Sequence, residues 1–255
     1  MRITLLQTNL YWEDPVANRK MFSAKFANLI GKTDLVVIPE MFTTGFSMRS
    51  RELAETMDGG PTIAWLRKEA EKIGAVITGS MIIQKEDQFF NRLLWVTPTG
   101  EVTHYDKKHL FTLAGEHEYF APGTERVLIE YMGWKICPLI CYDLRFPEWA
   151  RNKENYDLLI YVASWPDRRR AAWQTLLKAR AIENQCYTIG VNRVGKDGSE
   201  LSYAGDSTLI DFAGKPLLAV EKIEGEFTVE ISLDERQDFI SKLPFLADQD
   251  GFSSY

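Results

Sequence analysis

Cysteine is scarce in this chain: Cys137, Cys141 and Cys186 are the only three in 255 residues. A sparse, odd set with no secretory leader argues against a disulfide framework. Cys137 and Cys141 are not spaced as C-x₂-C, and His104, His109 and His117 have no companion cysteine pair, so no metal site is expected. Long apolar runs are also missing. The opening Met1–Leu6 is interrupted by Gln7 and Asn9, too early for a signal peptide. No stretch approaches the roughly 18 apolar residues of a membrane span. The expectation is a cytoplasmic protein with no membrane partner. Strong charge of one sign is absent as well: charged residues make up 26% and the net charge is -6. That balance speaks against a nucleic-acid partner, and the lone basic run Arg168–Arg170 is too short to alter it.

What is present is an alternation of short apolar runs with amphipathic segments. Strands are expected at Arg2–Thr8, Leu35–Ile38, Ala75–Ile83, Arg92–Thr97, Val102–Tyr105, Arg126–Tyr131, Trp134–Ile140, Asp157–Ala163, Tyr187–Asn192, Ser207–Asp211 and Phe227–Ile231. Asp14-Pro15 reads as an N-cap and first helical proline, with Phe22, Phe26, Leu29 and Ile30 on one face. A second helix starts near Pro61-Thr62, carries Trp65, Leu66, Ala70 and Ile73, and stops at Gly74. A third runs from about Arg170 to Asn184. No repeat, low-complexity stretch or linker divides the chain, so residues 1–255 are expected to form one α/β domain. At that length roughly 70–75% of the unfolded surface is buried without staples.

Three reactive residues stand where such strands end. Cys141 closes WKICPLI and is followed by Tyr142-Asp143-Leu144-Arg145, a turn, and then by Phe146-Pro147, a helix start. A strand-to-helix turn offers a nucleophile at an exposed tip, with N–H groups that favour a thiolate and an oxyanion. Cys137 and Cys186, inside apolar runs, read as core fillers. Glu40 follows LVVIP, where a buried parallel strand emerges, although a solvated strand-end carboxylate would look the same. Lys107, beside Lys108, reads by itself as a surface lysine. Together, an acid, an amine and a thiol are the makings of covalent acyl transfer.

The blocks VIPEMFTTGF, YDKKHLFTLAGEHEYFAPG, ICYDLRFPEWARN, ASWPDRRRAAWQTLLKARAIENQCYTIGVNRVGKDG and YAGDS cover nearly the whole chain. They resemble the nitrilase, or carbon–nitrogen hydrolase, superfamily. The combination of EMFTTGF, CYDLRFPEW and WPxxRxxxW looks like its bacterial omega-amidase branch, which hydrolyses the terminal amide of 2-oxo-dicarboxylic acid monoamides. The resemblance implies a four-layer α-β-β-α sandwich and a Glu-Lys-Cys triad. It makes Glu40 the general base, Lys107 rather than Lys108 the oxyanion donor, Cys141 the nucleophile and Glu116 a second glutamate that orients Lys107. The Tyr142 N–H would be a further oxyanion donor. Neither a metal nor an organic cofactor is required, and the partner is a small-molecule amide. Phe42, Phe46, Tyr119, Phe120 and Trp165 flank the motifs and could wall the pocket. For a substrate carboxylate Arg169, the arginine of W-P-x-x-R, is the first choice and Arg145 the second. Ser164 stands where ANWP would place asparagine, which puts a local hydrogen bond beside the acyl pocket in question. Relatives pair through helices near the nucleophile, which implies a homodimer through residues 146–152 and 173–184. Nitrile and N-carbamoyl hydrolysis use the same scaffold and remain alternatives. An idle scaffold protein is disfavoured because all three triad residues are present.

Overall fold

Neighbouring residues of one strand divide between two apolar clusters. Leu35 and Val37 join one and Val36 and Ile38 the other, and Leu5 and Leu6 split the same way. Because side chains alternate along a strand, such a sheet is apolar on both faces and must be covered on both. The computed structural model, which describes residues 1–250, has two seven-stranded sheets arranged accordingly. The first runs Gly225–Glu230, Arg2–Gln7, Leu35–Val37, Val76–Lys85, Gln88–Val96, Val102–Asp106, with Glu55–Thr56 added beside Val76–Lys85. The second runs Val194–Lys196, Ser202–Ile210, Tyr187–Asn192, Leu158–Ala163, Trp134–Ile140, Ile129–Tyr131, with Pro216–Glu221 beside Ser202–Ile210. Parallel pairing holds the centre of each sheet together.

The inner cluster joins Ile3, Leu5, Val37 and Trp95 of the first sheet to Ile136, Leu139 and Ile160 of the second. Outside the first sheet, Phe22 and Phe26 of helix Pro15–Ala27 and Ile63 and Leu66 of helix Pro61–Ile73 cover Val36, Ile38 and Ile77. Trp173, Leu177 and Ala181 of helix Arg170–Asn184 cover the second. The layers are therefore α-β-β-α, and each buried aliphatic side chain contributes about 1.5–3 kcal/mol. Helix starts follow the sequence: the Asp14 side chain accepts from the Ala17 N–H at 2.9 Å, and Gly74 ends its helix at φ 69°.

Several details differ from the sequence expectation. Ile30 lies past the helix end and is half exposed. The strand expected from Arg92 begins at Gln88, and that expected from Ser207 begins at Ser202, its ladder broken by a bulge between Gly205 and Ser207. Polar residues in that stretch hide the strand pattern. Val194–Lys196, Pro216–Glu221 and helix Leu233–Lys242 were not expected at all, and much of their surface is exposed, so they lack a strong apolar period. Among the described residues no helix is long and apolar enough to cross a membrane.

Candidate active site

Lys107, Cys141 and Ser164 each directly follow the last residue of a strand, Glu40 comes three residues past the end of one, and the fold gathers these ends into one place. Behind Glu40 the backbone turns sharply, with Met41 at φ 45° and its N–H held by Ser80 Oγ at 2.9 Å. Lys107 is fixed through its own backbone: its N–H donates to Asn91 O at 3.0 Å and its carbonyl accepts from Gly123 N at 2.8 Å. A Cβ at Gly123 would lie 2.1 Å from the Asp106 carbonyl, so only glycine lets that loop close over the lysine segment.

The three charged side chains form a sealed cluster. Lys107 Nζ donates to Glu40 Oε1 at 2.9 Å and to Glu116 Oε1 and Oε2 at 3.0 and 2.9 Å. All three residues are 0–1% exposed. Glu40 Oε1 also accepts from Asn91 Nδ2 at 2.8 Å, and Oε2 from the Ser164 N–H at 2.8 Å. Glu116 accepts from the Phe111 N–H at 2.6 Å and from Asn91 Nδ2 at 3.3 Å. Burial by itself would discharge Lys107, but the Glu116 and Glu40 carboxylates outweigh it and raise its pKa, so the ammonium persists. Burial raises Glu116, with Lys107 opposing and the second negative charge of Glu40 adding to the rise. Lys108, by contrast, reaches out over the Trp149 ring.

Cys141 ends Trp134–Ile140 and opens a 3₁₀ turn, Cys141–Arg145, which leads into the short helix Pro147–Ala150. Its φ of 41° is a strained value for a residue with a side chain. The expected exposed tip is not observed: Cys141 is only 9% exposed, at the floor of a cavity of about 350 Å³. Burial, and then the neighbouring Glu40 charge, push its thiol well above the ordinary range, with Lys107 opposing. The resting side chain is therefore a thiol. Cys137 and Cys186 are buried away from this cavity and pushed up to about 12 by desolvation.

The cavity is walled by aromatic and cationic residues. Of the sequence candidates, Phe46, Trp165, Tyr142, Arg145 and Arg169 line it, joined by Phe111, Tyr203 and Arg168. The Arg145 guanidinium stacks over Trp165 and that of Arg169 over Phe111, each 4.9 Å from the ring centre. Among the described residues neither they nor Arg168 form an ion pair, whereas Arg170 turns away to Asp206 at 2.7 Å. Burial, and then the like charges of Arg168 and Arg145, lower the Arg169 pKa.

Phe42 is a correction. It is fully buried in the outer core, 5.6 Å from the Phe22 ring and 6.2 Å from that of Trp65, because the turn at Met41 sends it away from the cavity. Phe120 packs instead with Met41, Ile82 and Leu110, and Tyr119 faces a separate surface cleft. Asn91 was missed. An asparagine inside the apolar run FFNRLLW was the available signal, since a polar residue in a buried strand needs a partner. Ser164 costs the site little, because its contact with the Glu40 side chain is made by the backbone N–H.

A sealed acid–amine–thiol cluster beneath a small cavity on an α-β-β-α sandwich defines a hydrolase of carbon–nitrogen bonds. The chain belongs to that family: the carbon–nitrogen hydrolase model matches residues 2–240. Within it, the chain is 42% identical to the omega-amidase YafV of Escherichia coli, over 99% of this chain and 98% of that protein. It is 34% identical to the 2-oxoglutaramate amidase of Bacillus subtilis, over 96% of each. Among solved structures, XC1258 of Xanthomonas campestris, a CN-hydrolase superfamily protein with an arsenic adduct in its active site, superposes with TM-score 0.97. It is 46% identical, over 100% of this chain and 99% of that one. The protein is thus an amide-cleaving carbon–nitrogen hydrolase of the nitrilase superfamily, similar to the bacterial omega-amidases.

Proposed function

We propose that this chain, acting as one catalytic domain, hydrolyses the terminal amide of a 2-oxo-dicarboxylic acid monoamide such as 2-oxoglutaramate or 2-oxosuccinamate. The observation that carries the reading is the charge layout of one cavity. Its floor holds the thiol and the buried Glu40–Lys107–Glu116 cluster, and its walls hold guanidiniums without carboxylate partners. An amide entering with its carboxylate toward the arginines reaches Cys141 with the opposite end.

Glu40 takes the thiol proton as sulfur attacks the amide carbon, so the high resting pKa of Cys141 is no obstacle. The developing oxyanion receives hydrogen bonds from Lys107 Nζ and the Tyr142 N–H, the latter in the first turn of a 3₁₀ helix, where N–H groups lack internal partners. The intermediate collapses to a thioester as the Glu40 proton passes to departing ammonia. Glu40 then deprotonates a water that attacks the thioester, which releases the acid and restores the thiol. Glu116 keeps Lys107 charged and aimed, and Asn91 ties the two carboxylates together. The same reading carries a homodimer through residues 146–152 and 173–184, to be checked by light scattering.

The test is ammonia release from 2-oxoglutaramate, 2-oxosuccinamate, glutamine, a short nitrile and an N-carbamoyl amino acid. The two oxo-acid amides should lead by at least about tenfold, the discrimination of one charge-assisted contact. Preference for the nitrile or the carbamoyl compound would overturn the substrate assignment.

A further inference from the structure

Asp143 lies two residues beyond Cys141, is fully buried, and belongs to no part of the reaction described above. Its carboxylate accepts four hydrogen bonds. Oδ2 takes the Ile140 N–H at 3.0 Å and the Tyr105 hydroxyl at 2.8 Å. Oδ1 takes the His109 N–H at 2.9 Å and His109 Nδ1–H at 2.8 Å. Ile140 immediately precedes the nucleophile. Tyr105 and His109 stand two residues to either side of Lys107. One side chain therefore ties the backbone that carries the thiol to both flanks of the segment that carries the ammonium.

The segment after the nucleophile completes the latch. The His109 ring stacks on Phe146 with centroids 3.8 Å apart, and Trp149 Nε1 donates to the Tyr105 hydroxyl at 3.0 Å. The tie spans the two sheets, since Tyr105 lies one residue before the end of Val102–Asp106 of the first and Ile140 ends Trp134–Ile140 of the second. Cys141 needs such a restraint because its φ of 41° is held only by what surrounds it.

We propose that Asp143 is a positioning residue that holds Lys107 Nζ and Cys141 Sγ in the separation the tetrahedral intermediate requires. The proposal rests on the roles given above to Lys107 and Cys141. Tyr105→Phe and His109→Ala each release one arm of the latch and leave the buried carboxylate in place. Each should lower kcat about tenfold with KM little changed, and the double variant about 100-fold, the loss expected of a displacement of roughly 1 Å. Alkylation of Cys141 by iodoacetamide develops no oxyanion, so its rate should stay within about threefold of the parent, whereas general unfolding would change both. Placed on Lys107→Ala, His109→Ala should lower kcat by less than about twofold more, because the ammonium it helps to position is already gone. Unchanged kcat in both single variants, or the same tenfold loss on the Lys107→Ala background, overturns the proposal. A Lys107→Ala enzyme with full turnover is a different result and removes the catalytic assignment itself. Asp143→Asn must leave one backbone N–H without an acceptor, and if it folds it should match the double variant; parent-like kcat there also overturns the proposal.

Discussion

Lys107→Ala takes the ammonium from between two carboxylates that have no solvent to turn to. Glu40 and Glu116 are 0% exposed, and Lys107 touches both within 3.0 Å. Removing one partner of a buried pair typically costs about 3–5 kcal/mol. For a chain of this size each kcal/mol moves Tm by about 2–4 °C. The variant should therefore melt about 6–20 °C lower, and turnover should fall by about 10²–10³ from the lost oxyanion donor. A second substitution separates the two effects. Lys107→Ala with Glu116→Gln deletes one of the stranded charges, so most of the Tm should return while turnover stays at the level of the single variant or below. The loss in the single variant also depends on pH. A buried carboxylate raised above its ordinary 4.5, as Glu116 is, favours folding below that value and loses its contribution as pH rises through its folded pKa. The Tm deficit should therefore be larger at neutral pH than near pH 4.5. Scanning calorimetry and ammonia release are the two assays. An unshifted Tm in the single variant, or turnover regained in the double, would refute the reasoning. Lys108→Ala should stay within about 0.5 kcal/mol of the parent.

Cys141→Ala should abolish ammonia release with the fold intact, and a thioester on the Cys141 peptide should appear by mass spectrometry after a quench. Any sustained turnover in that variant rules out the nucleophile. Arg169→Ala should weaken 2-oxoglutaramate hydrolysis by about 1.5–3 kcal/mol and a neutral short amide much less; equal losses on both would mean that Arg169 only shapes its loop. Cys137 and Cys186, both raised from 9.0 to about 12, favour folding fully below 9 and lose that contribution as pH rises toward 12. Urea midpoints should thus fall steeply between those values and less steeply in Cys186→Ala; identical slopes would contradict the burial argument.

The strand ends were legible in sequence because chemistry sits where apolar runs stop. LVVIP before Glu40 and WKICPLI before Cys141 are such boundaries, and both residues lie just past the strands that Leu35–Val37 and Trp134–Ile140 form. Lys107 was legible only through its resemblance to a motif, since KK in a polar stretch gives no sign of a side chain that is 1% exposed. Phe42 was misplaced for a local reason. A positive φ at Met41 reverses the side of the chain on which the next residue emerges, and no residue type other than glycine announces such a conformation. Asn91 reaches Glu40 and Glu116, and Asp143 reaches Tyr105 and His109, all at least 25 residues away, a pairing that one-dimensional patterning does not carry.

The site's electrostatics follow from where it is dry and where it is wet. With both glutamates ionised, the floor cluster of Glu40, Glu116 and Lys107 has a net charge of -1, and the raised pKa of Lys107 keeps it from becoming more negative. A substrate carboxylate directed at the floor meets that charge where there is little solvent to screen it. Directed at Arg145, Arg168 and Arg169, it meets guanidiniums free of ion-pair partners among the described residues, those of Arg145 and Arg169 stacked on rings. Two unit charges about 10 Å apart at an effective dielectric near 20 interact by about 1.7 kcal/mol. The difference between the two orientations, repulsive at one end and attractive at the other, is about twice that, or more than a hundredfold in population. On the proposed reading, the buried acid pair thus serves twice. It supplies the proton acceptor for Cys141, and it turns an anionic amide so that the neutral carbonyl, rather than the carboxylate, arrives at sulfur.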